Sequence, residues 1–318
     1  MSLSHASTLK HHSLASGAMR PTRIAIALAA LVLASCGGED EQAEPVSDRF
    51  DANRAFADLR AQVAIGPRPS GSPGGSREVE LIVTRLQQAG AEDVGVQRPW
   101  RNVVATIPGS EPGVVVVGAH HDTKTGIPDF VGANDGASGV AVVLELARAL
   151  APQAPLPGPS LRLALFDAEE SRGLREFTVD GTRGSRQYVE YAGTGAQGSP
   201  PLEEIRAMVL FDLVGDCDLR IPLEQLSNEG LYEEFAQAAV EIHAGRAPFE
   251  GQAAGVLDDH VPFSEAGIPA VNLIDFQYGP GAVPGGWWHT PRDTLDKVCP
   301  ESLDAVGEAA VRAIPRIR

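Results

Sequence analysis

The 318-residue sequence has only three cysteines, few aromatic residues (5%) and a deficit of bases, with 26 Lys and Arg against 42 Asp and Glu. Three cysteines without a CxxC pair argue against a disulfide scaffold and a thiolate zinc knuckle. A formal charge of −16 without a basic cluster argues against binding to nucleic acids or anionic lipids, which needs Lys and Arg gathered on one face. Any metal site in this chain must therefore use His, Asp and Glu.

Long apolar runs are also absent, since the run at residues 24–34 is too short to span a bilayer as a helix. The run follows basic residues in a segment without acids, which is typical of a signal peptide, assigned here to residues 1–35. It leads into a Leu-Ala-Ser-Cys sequence that resembles a bacterial lipobox and implies lipidation of Cys36. An ordinary cleaved signal is the alternative. Residues 36–48 are acidic and lack apolar periodicity, so we interpret them as a tether.

These features predict a lipid-anchored cell-envelope protein that faces the periplasm from the outer membrane. Its contact with the membrane is expected only through the lipid anchor. Removal of residues 1–35 leaves 23 basic against 42 acidic residues, a formal charge of −19. The mature chain is therefore even more acidic than the full sequence.

From residue 49 onward, helical periodicity alternates with short apolar runs, as in an α/β sheet covered by helices. The predicted helices lie at residues 51–65, 75–89, 140–150 and 303–314. The predicted buried strands lie at residues 102–107, 114–117, 161–166, 208–211 and 270–274. No internal repeat or interdomain linker is visible. We therefore predict a single α/β domain over residues 49–318, with a twisted, mostly parallel, mixed β-sheet flanked by helices on both faces.

Polar side chains follow three of these strands, and ligands of open α/β sheets bind beyond the carboxyl ends of the strands. Taken singly, Asp135 would as readily cap a helix, and His120 or His289 would be an ordinary loop histidine. Their joint occurrence predicts a zinc site, because imidazoles and carboxylates are the ligands zinc accepts without thiolates. The candidate residues are His120, Asp135, Glu169, Glu170, Asp212 and His289. Asp122 is predicted to orient His120, and Asp293 to orient His289.

Five motifs together resemble those of the zinc aminopeptidase family that also contains the glutaminyl cyclases. They are His120-His121-Asp122, Gly132-Ala133-Asn134-Asp135-Gly136-Ala137-Ser138-Gly139, Glu169-Glu170, Phe211-Asp212 and His289-Thr290. The resemblance runs from about residue 49 to the C-terminus and implies a phosphorylase/hydrolase-like fold. For an aminopeptidase it implies two zinc ions bridged by Asp135, with His120 and Asp212 on one and Glu170 and His289 on the other. For a glutaminyl cyclase it implies one zinc ion on Asp135, Glu170 and His289, and for both branches Glu169 is the general base and acid.

Three features favour the cyclase branch. The Gly184-Ser185 turn follows an insertion at residues 171–183, Asp258-Asp259-His260 resembles a cyclase motif, and Trp288 stands directly before His289. The insertion lacks the tryptophan that animal cyclases carry in it and has only Phe177 nearby. The Asp-Gly-Ala-Ser-Gly sequence that begins at Asp135, in contrast, matches the form of this motif in the aminopeptidases.

The resemblance thus implies a zinc-dependent glutaminyl-peptide cyclotransferase that converts N-terminal glutamine to pyroglutamate and releases ammonia. Asp258 and Asp212 would form an acid pair, and Trp288, Phe177 and Phe276 would line the substrate pocket. The alternative is a two-zinc aminopeptidase, and a more remote one is a binding module without activity. The expected partners are peptides or proteins with a free N-terminus, bound by a monomer, and no nucleic acid. Whether Cys217 and Cys299 pair is left open.

Overall fold

The structure, a computed structural model, describes residues 48–243 and 248–318. The predicted signal peptide at residues 1–35, the lipidation site Cys36 and all but the last residue of the tether at 36–48 lie outside the described residues. None of the helices that it does describe combines the length and the apolar character needed to cross a membrane.

The secondary structure alternates between helices and strands along most of the described chain. The helices are α1 (Ala52–Ile65), α2 (Pro73–Gln88), α3 (Ala137–Leu150), α4 (Phe177–Asp180), α5 (Arg183–Thr194), α6 (Glu229–His243), α7 (Val261–Glu265) and α8 (Pro300–Ala313). The strands are β1 (Glu92–Val96), β2 (Val103–Ile107), β3 (Val114–His120), β4 (Ser160–Phe166), β5 (Ile205–Asp212), β6 (Leu223–Glu224), β7 (Gln252–Ala253) and β8 (Ala270–Ile274).

A six-stranded mixed sheet with the order β1-β2-β4-β3-β5-β8 forms the centre of the domain. The pairs β1–β2 and β2–β4 are antiparallel, whereas β4, β3, β5 and β8 run parallel to their neighbours. The parallel strands are mostly apolar because most of their residues are buried, on both faces of the sheet. The short strands β6 and β7 form a separate parallel pair.

Side chains of the central strands alternate between two apolar layers, one on each face of the sheet. Val115 and Val117 of β3 pack into the larger layer, which contains residues of α1, α2, α3, α6 and α8. Val116 points to the other layer, with Tyr188 of α5 and Phe263 of α7. The predicted single α/β domain, with its mostly parallel mixed sheet and helices on both faces, is thereby confirmed.

Several element boundaries differ from the predicted ones. Helix α2 begins two residues earlier than predicted, because Ser72 accepts a hydrogen bond from the Gly75 N–H (3.0 Å) and Pro73 occupies the first turn. Strand β3 extends to His120, so this histidine ends the strand itself. Helix α3 lies so close to β5 that a Cβ atom on Gly139 would be 2.1 Å from the Phe211 carbonyl oxygen.

A disulfide bond joins Cys217 to Cys299 and answers the question that the sequence left open. The Cys217 N–H donates to the Lys297 carbonyl (3.3 Å), and the Cys299 N–H donates to the Gly215 carbonyl (3.0 Å). The bond therefore fastens the loop after β5 to the start of α8.

Candidate active site

The candidate site residues converge at the carboxyl ends of the three central parallel strands. His120 and Asp212 end β3 and β5, Glu169 and Glu170 follow β4, and Asp135 precedes α3. This is the edge at which open α/β sheets bind ligands. A cleft of about 510 Å³ lies over the edge and is lined by all of these residues except His120, and also by His289 and Asp258.

Asp135, Glu170 and His289 form the first group of possible metal ligands. One donor atom from each lies within 4.8 Å of the others. Nε2 of His289 is 2.8 Å from Oε1 of Glu170 and 3.4 Å from Oδ2 of Asp135. The three residues that the sequence predicts as ligands of one zinc ion therefore lie together in the structure.

His120, Asp135 and Asp212 form a second group with the same spacing. Nε2 of His120 is 3.2 Å from Oδ1 of Asp212 and 3.3 Å from Oδ1 of Asp135. Asp135 thus directs one carboxylate oxygen to each group. Burial alone would lower the pKa of His120, but hydrogen bonds with Asp122, Asp135 and Asp212 raise it well above its usual value.

The donor set of both groups fits zinc. Each group offers imidazole nitrogen and carboxylate oxygen, which are ligand types of zinc sites without thiolates. Oδ2 of Asp135 is buried and has no hydrogen-bond partner in the protein, as expected of an atom that faces a metal. The groups are therefore competent to bind zinc.

Asp293 differs from its predicted role, because it holds Asp135 rather than His289. Its carboxylate accepts hydrogen bonds from the N–H groups of Asn134 (2.8 Å) and Asp135 (3.1 Å) and from the Tyr278 hydroxyl (2.6 Å). Burial, followed by the charge of Asp135, raises the pKa of Asp293 to about 7. The prediction that Asp293 orients the imidazole of His289 was wrong.

Asp122 supports His120 differently from the prediction. Its backbone carbonyl lies 3.2 Å from Nδ1 of His120, whereas its carboxylate is 3.8 Å away. A proton on Nδ1 donated to this carbonyl leaves Nε2 to face the metal position. The Asp122 carboxylate instead accepts hydrogen bonds from the N–H groups of Glu169 (3.0 Å) and Glu170 (3.3 Å), so it fixes the paired glutamates.

The backbone adopts the left-handed conformation at three non-glycine positions beside the ligands. These are Ala168 (φ 59°), which precedes Glu169, Leu213 (φ 50°), which follows Asp212, and His289 itself (φ 50°). This region is unfavourable for residues with a Cβ atom, and such strain concentrates at functional sites. The strained backbone of these loops therefore helps to position the side chains at the cleft.

Glu169 and Asp258 are the two buried acids of the cleft that belong to neither ligand group. Burial and the charges of Glu170, Asp258 and Asp259 raise the pKa of Glu169 well above its usual value. Burial and the charges of Asp212 and Asp259 do the same for the pKa of Asp258. The Asn272 side-chain amide, which the sequence did not single out, donates to Asp258 at 2.7 Å.

The three aromatic residues predicted for the substrate pocket line the cleft. The Trp288 ring stacks on His289, with centroids 3.7 Å apart and an interplanar angle of 16°. Phe276 meets Trp288 edge-on at 5.4 Å, and Phe177 is the first residue of the short helix α4. Trp288 therefore covers one side of the first ligand group.

Lys124 is a cleft residue whose contacts the sequence did not predict. Its Nζ lies 3.2 Å from Oε2 of Glu170 and donates to the Ser171 hydroxyl at 2.6 Å. Since Oε1 of Glu170 faces His289, the lysine holds the other oxygen away from the first group. Its position directly after the Asp122 motif was the available signal.

Arg68 is a second unpredicted residue and supports the loop before Asp135 from below. The guanidinium is fully buried and donates to the carbonyls of Val131 (2.7 Å) and Gly132 (3.1 Å). Its buried counter-charge is Glu78, 3.6 Å away. The loop before Asp135 is thus supported by the ion pair between Arg68, which precedes α2, and Glu78, which lies within α2.

Comparison with known proteins identifies one family with two kinds of member. The sequence model of peptidase family M28 matches residues 102–314. A crystal structure of a glutaminyl cyclase from an Acidobacteriales bacterium aligns with a TM-score of 0.74 at 31% identity, covering 87% of this chain and 97% of that chain. The glutaminyl-peptide cyclotransferase of Boiga irregularis is 28% identical over 304 residues, 83% of this chain and 80% of the relative. A Zn-dependent exopeptidase from Parabacteroides distasonis aligns with a TM-score of 0.70 at 25% identity, covering 85% and 99% of the two chains.

Proposed function

This chain belongs to peptidase family M28, and within that family we propose that it is a zinc-dependent glutaminyl-peptide cyclotransferase. It converts an N-terminal glutamine to pyroglutamate and releases ammonia. Its substrates are peptides or proteins with a free N-terminus. The similarity to cyclases over most of their length supports this choice.

The observation that carries the proposal is the position of Asp258 in the cleft. Asp258 belongs to the Asp-Asp-His motif that resembles cyclases, it is 2% exposed, and it lies close enough to Asp212 and Glu169 for their charges to interact. Its raised pKa favours the protonated form, which donates hydrogen bonds. A protonated acid beside the general base suits a reaction in which an amide nitrogen must leave as ammonia.

Each step of the proposed reaction is assigned to particular residues of the cleft. Asp135, Glu170 and His289 would hold a zinc ion, which when bound would supply Lewis-acid polarisation of the γ-carboxamide oxygen of the substrate. Glu169 accepts the proton that the α-amine loses as its nitrogen bonds to the γ-carbonyl carbon, and it returns a proton to the amide nitrogen. The C–N bond to that nitrogen then breaks and ammonia departs beside Asp258, while the Trp288 ring covers the substrate backbone.

A two-zinc aminopeptidase is the second candidate, and the complete His120–Asp135–Asp212 group favours it. In that reaction Glu169 would take the proton from a water molecule that attacks the first peptide bond. Zinc content separates the candidates, because the cyclase proposal expects one ion per chain and the peptidase two. Elemental analysis of the purified protein provides the count.

The decisive experiment offers the zinc-loaded chain a glutaminyl peptide and, separately, a leucyl anilide. Ammonia release with loss of the primary amine is the expected result for the first substrate, and little aniline is expected from the second. Aniline release without ammonia would refute the cyclase and establish the peptidase. A Glu176→Gln variant serves as the control, since Glu176 is an exposed acid on the rim of the same cleft.

The cellular location is a further part of the proposal. The N-terminal sequence supports a lipid anchor at Cys36, with the domain in the periplasm at the outer membrane. A Cys36→Ser variant is expected to leave the membrane fraction, whereas the wild-type chain stays in it. Equal partitioning of the two would contradict the anchor.

A further inference from the structure

Glu224 is a buried carboxylate behind the cleft that the proposed reaction does not use. It ends β6, which pairs in parallel with β7, and is 1% exposed. Its ion-pair partner in the described part of the chain is His260, which is also fully buried. A carboxylate away from water is costly unless hydrogen bonds satisfy it. The contacts of Glu224 must therefore compensate for its burial.

Four groups that can donate a proton surround the Glu224 carboxylate. Oε2 accepts the N–H groups of Leu226 (2.9 Å) and Val256 (3.0 Å). Oε1 accepts the Ser227 hydroxyl and faces Nε2 of His260 at 3.2 Å. Burial alone would raise the pKa of Glu224, but hydrogen bonds, first with His260 and then with Ser227, lower it below its usual value. The group is therefore an ionised carboxylate at neutral pH.

The contacts of Glu224 lie on both sides of Asp258 in the sequence. Val256 precedes this acid by two positions and His260 follows it by two, so one carboxylate fixes both ends of the segment 256–260. The front of the same segment, with Val256 and Asp258, lines the cleft. The place of Asp258 in the cleft therefore depends on a carboxylate behind it.

A hydrogen-bonded path also joins Glu224 to the Asp258 side chain. The Ser227 hydroxyl, which donates to Glu224, accepts the Asn272 N–H at 2.8 Å. The Asn272 side-chain amide donates to Oδ2 of Asp258 at 2.7 Å. Asn272 lies on β8, so the path ties Asp258 to the central sheet. Both the backbone and the side chain of Asp258 are thus held from the same carboxylate.

We infer that Glu224 is a positioning residue that sets the place of the Asp258 carboxyl group beside the departing ammonia. The inference rests on the cyclotransferase function proposed above. A displacement of a reacting group by about 1 Å can lower a rate about 10²-fold. Because these contacts end at Asp258 rather than at a residue of either ligand group, loss of Glu224 impairs the step that needs Asp258.

The test compares two substrates that differ in the group that leaves. One is a glutaminyl peptide, and the other is the same peptide with an N-terminal glutamate γ-methyl ester, from which methanol departs instead of ammonia. An amide nitrogen departs only after it receives a proton, whereas the alkoxide of an ester needs less help from an acid. Mass spectrometry of the pyroglutamyl product provides kcat and KM on the zinc-loaded full chain, after subtraction of the uncatalysed cyclisation.

Glu224→Gln is expected to lower kcat about 10- to 100-fold for the glutaminyl peptide and much less for the ester, with zinc content and KM near the wild-type values. The reason is that the glutamine amide turns an N–H group toward other donors. Asp258→Asn should show the same dependence on the leaving group. Glu145→Gln is the matched control and should not change the ratio of the two kcat values. Glu145 is also a buried acid, and it accepts hydrogen bonds from Arg54 (2.8 Å) and Arg148 (2.9 Å).

A second pair of variants changes the same contact from the side of His260. His260→Gln keeps an N–H group that can donate to Glu224, so it should retain the wild-type ratio of the two kcat values. His260→Leu removes the donor and should lower kcat for the glutaminyl peptide selectively. This pair decides the inference if Glu224→Gln does not fold.

The outcomes separate the positioning role from the reaction. Equal losses on both substrates in Glu224→Gln or His260→Leu, or the same change of ratio in Glu145→Gln, would overturn the role of Glu224 and leave the cyclase intact. A wild type that forms no pyroglutamyl product from the glutaminyl peptide would overturn the proposed function and the positioning role with it.

Discussion

At Glu169, burial and a group of neighbouring carboxylates act in the same direction on the protonation equilibrium. Both raise the pKa of its side chain well above the usual value, with Glu170, Asp258 and Asp259 as the charges concerned. A carboxylate with a raised pKa is a stronger base. Because Glu169 is outside both ligand groups, its chemistry can be removed without removal of a ligand.

We expect Glu169→Gln to reduce kcat/KM for glutaminyl peptides by about 10²- to 10⁴-fold, because glutamine keeps the size but cannot transfer the proton. Zinc content should stay at the wild-type value. Ammonia release and elemental analysis of one preparation measure both quantities. Activity near the wild-type level would disprove the role of Glu169, and loss of zinc would show that it helps to hold the metal.

Glu78, outside the cleft, is another acid whose protonation the fold changes strongly. It is fully buried against Arg68, both of its carboxylate oxygens lack hydrogen-bond partners, and burial raises its pKa from about 4.5 to about 7. Between these values the folded chain binds more protons at this site than the unfolded chain. Stability from this group is thus complete below pH 4.5 and falls as the pH rises to 7.

The Glu78 contribution predicts a loss of about 2.5 kcal/mol in the free energy of unfolding between pH 5 and pH 8. Glu78→Gln should reduce the loss over that part of the profile by the Glu78 contribution, since glutamine does not titrate. Denaturant unfolding at several pH values measures it. Glu80→Gln, an exposed position of the same helix, should leave the profile unchanged, and identical profiles for all three proteins would contradict the assignment.

At the scale of single residues, the sequence identified the candidate ligands but not the groups that hold them. His120, Glu170, Asp212 and their partners are recognisable because each lies at a strand end, at a helix start or in a motif. The hydrogen bonds that orient them depend on how distant loops pack, as in Asp293 and the Asp135 N–H, which are 158 positions apart. For this reason Asp122 contacts its predicted partner His120 through the backbone carbonyl rather than the carboxylate, and Asp293 holds Asp135 rather than His289.

Among the secondary-structure elements, those with a buried apolar pattern were predictable and those without one were not. The central strands β3, β4, β5 and β8 read as apolar runs in the sequence because they are buried on both faces. The edge strand β1 has the half-exposed sequence Glu-Asp-Val-Gly-Val and contains no such run. It forms because β2 offers a free edge with which it pairs.

The loop at residues 171–182, the entrance loop, is held by contacts of the Asp180 side chain with Arg172, Arg175 and Arg183. Hydrogen bonds with Arg172 and the charge of Arg183 hold the pKa of Asp180 well below its usual range. Arg172 and Arg175 are exposed sites at which trypsin can cut once the loop opens. The loop also carries Leu174 and Phe177 to the cleft.

Asp180→Asn should therefore speed tryptic cleavage of this loop severalfold and raise KM for glutaminyl peptides, because asparagine cannot neutralise three arginines. Mass spectrometry of timed digests locates the cuts. Glu176→Gln removes an exposed acid from the same loop and should not change the digestion rate. Equal digestion of Asp180→Asn and the wild type would show that other contacts order the loop.

For the molecule as a whole, the Cys217–Cys299 bond closes a loop of 82 positions in sequence. A cross-link of this length stabilises the folded chain by about 2–4 kcal/mol, mainly through its effect on the unfolded state. It also fastens the segment after Asp212 to the segment that follows His289. Its loss is expected to affect both stability and metal affinity.

We predict that reduction of the wild type lowers the melting temperature and increases the rate at which a chelator removes zinc. The Cys217→Ser/Cys299→Ser double variant should behave like the reduced protein and show no further response to reductant. Calorimetry and chelator competition provide the two measurements. A double variant as stable as the oxidised wild type would show that the disulfide bond does not stabilise the folded chain.

The strand order of the sheet also sets the sequence of events during folding. The first metal group is complete only when the loops after β4 and β8 and the start of α3 have met, although β8 is the last strand of the chain. Parallel pairings between distant segments form slowly, because the entropy of a long intervening segment is lost before the stabilising contacts can form. Zinc capture during refolding should therefore be a late event, and the rate of metal uptake reports completion of the native topology.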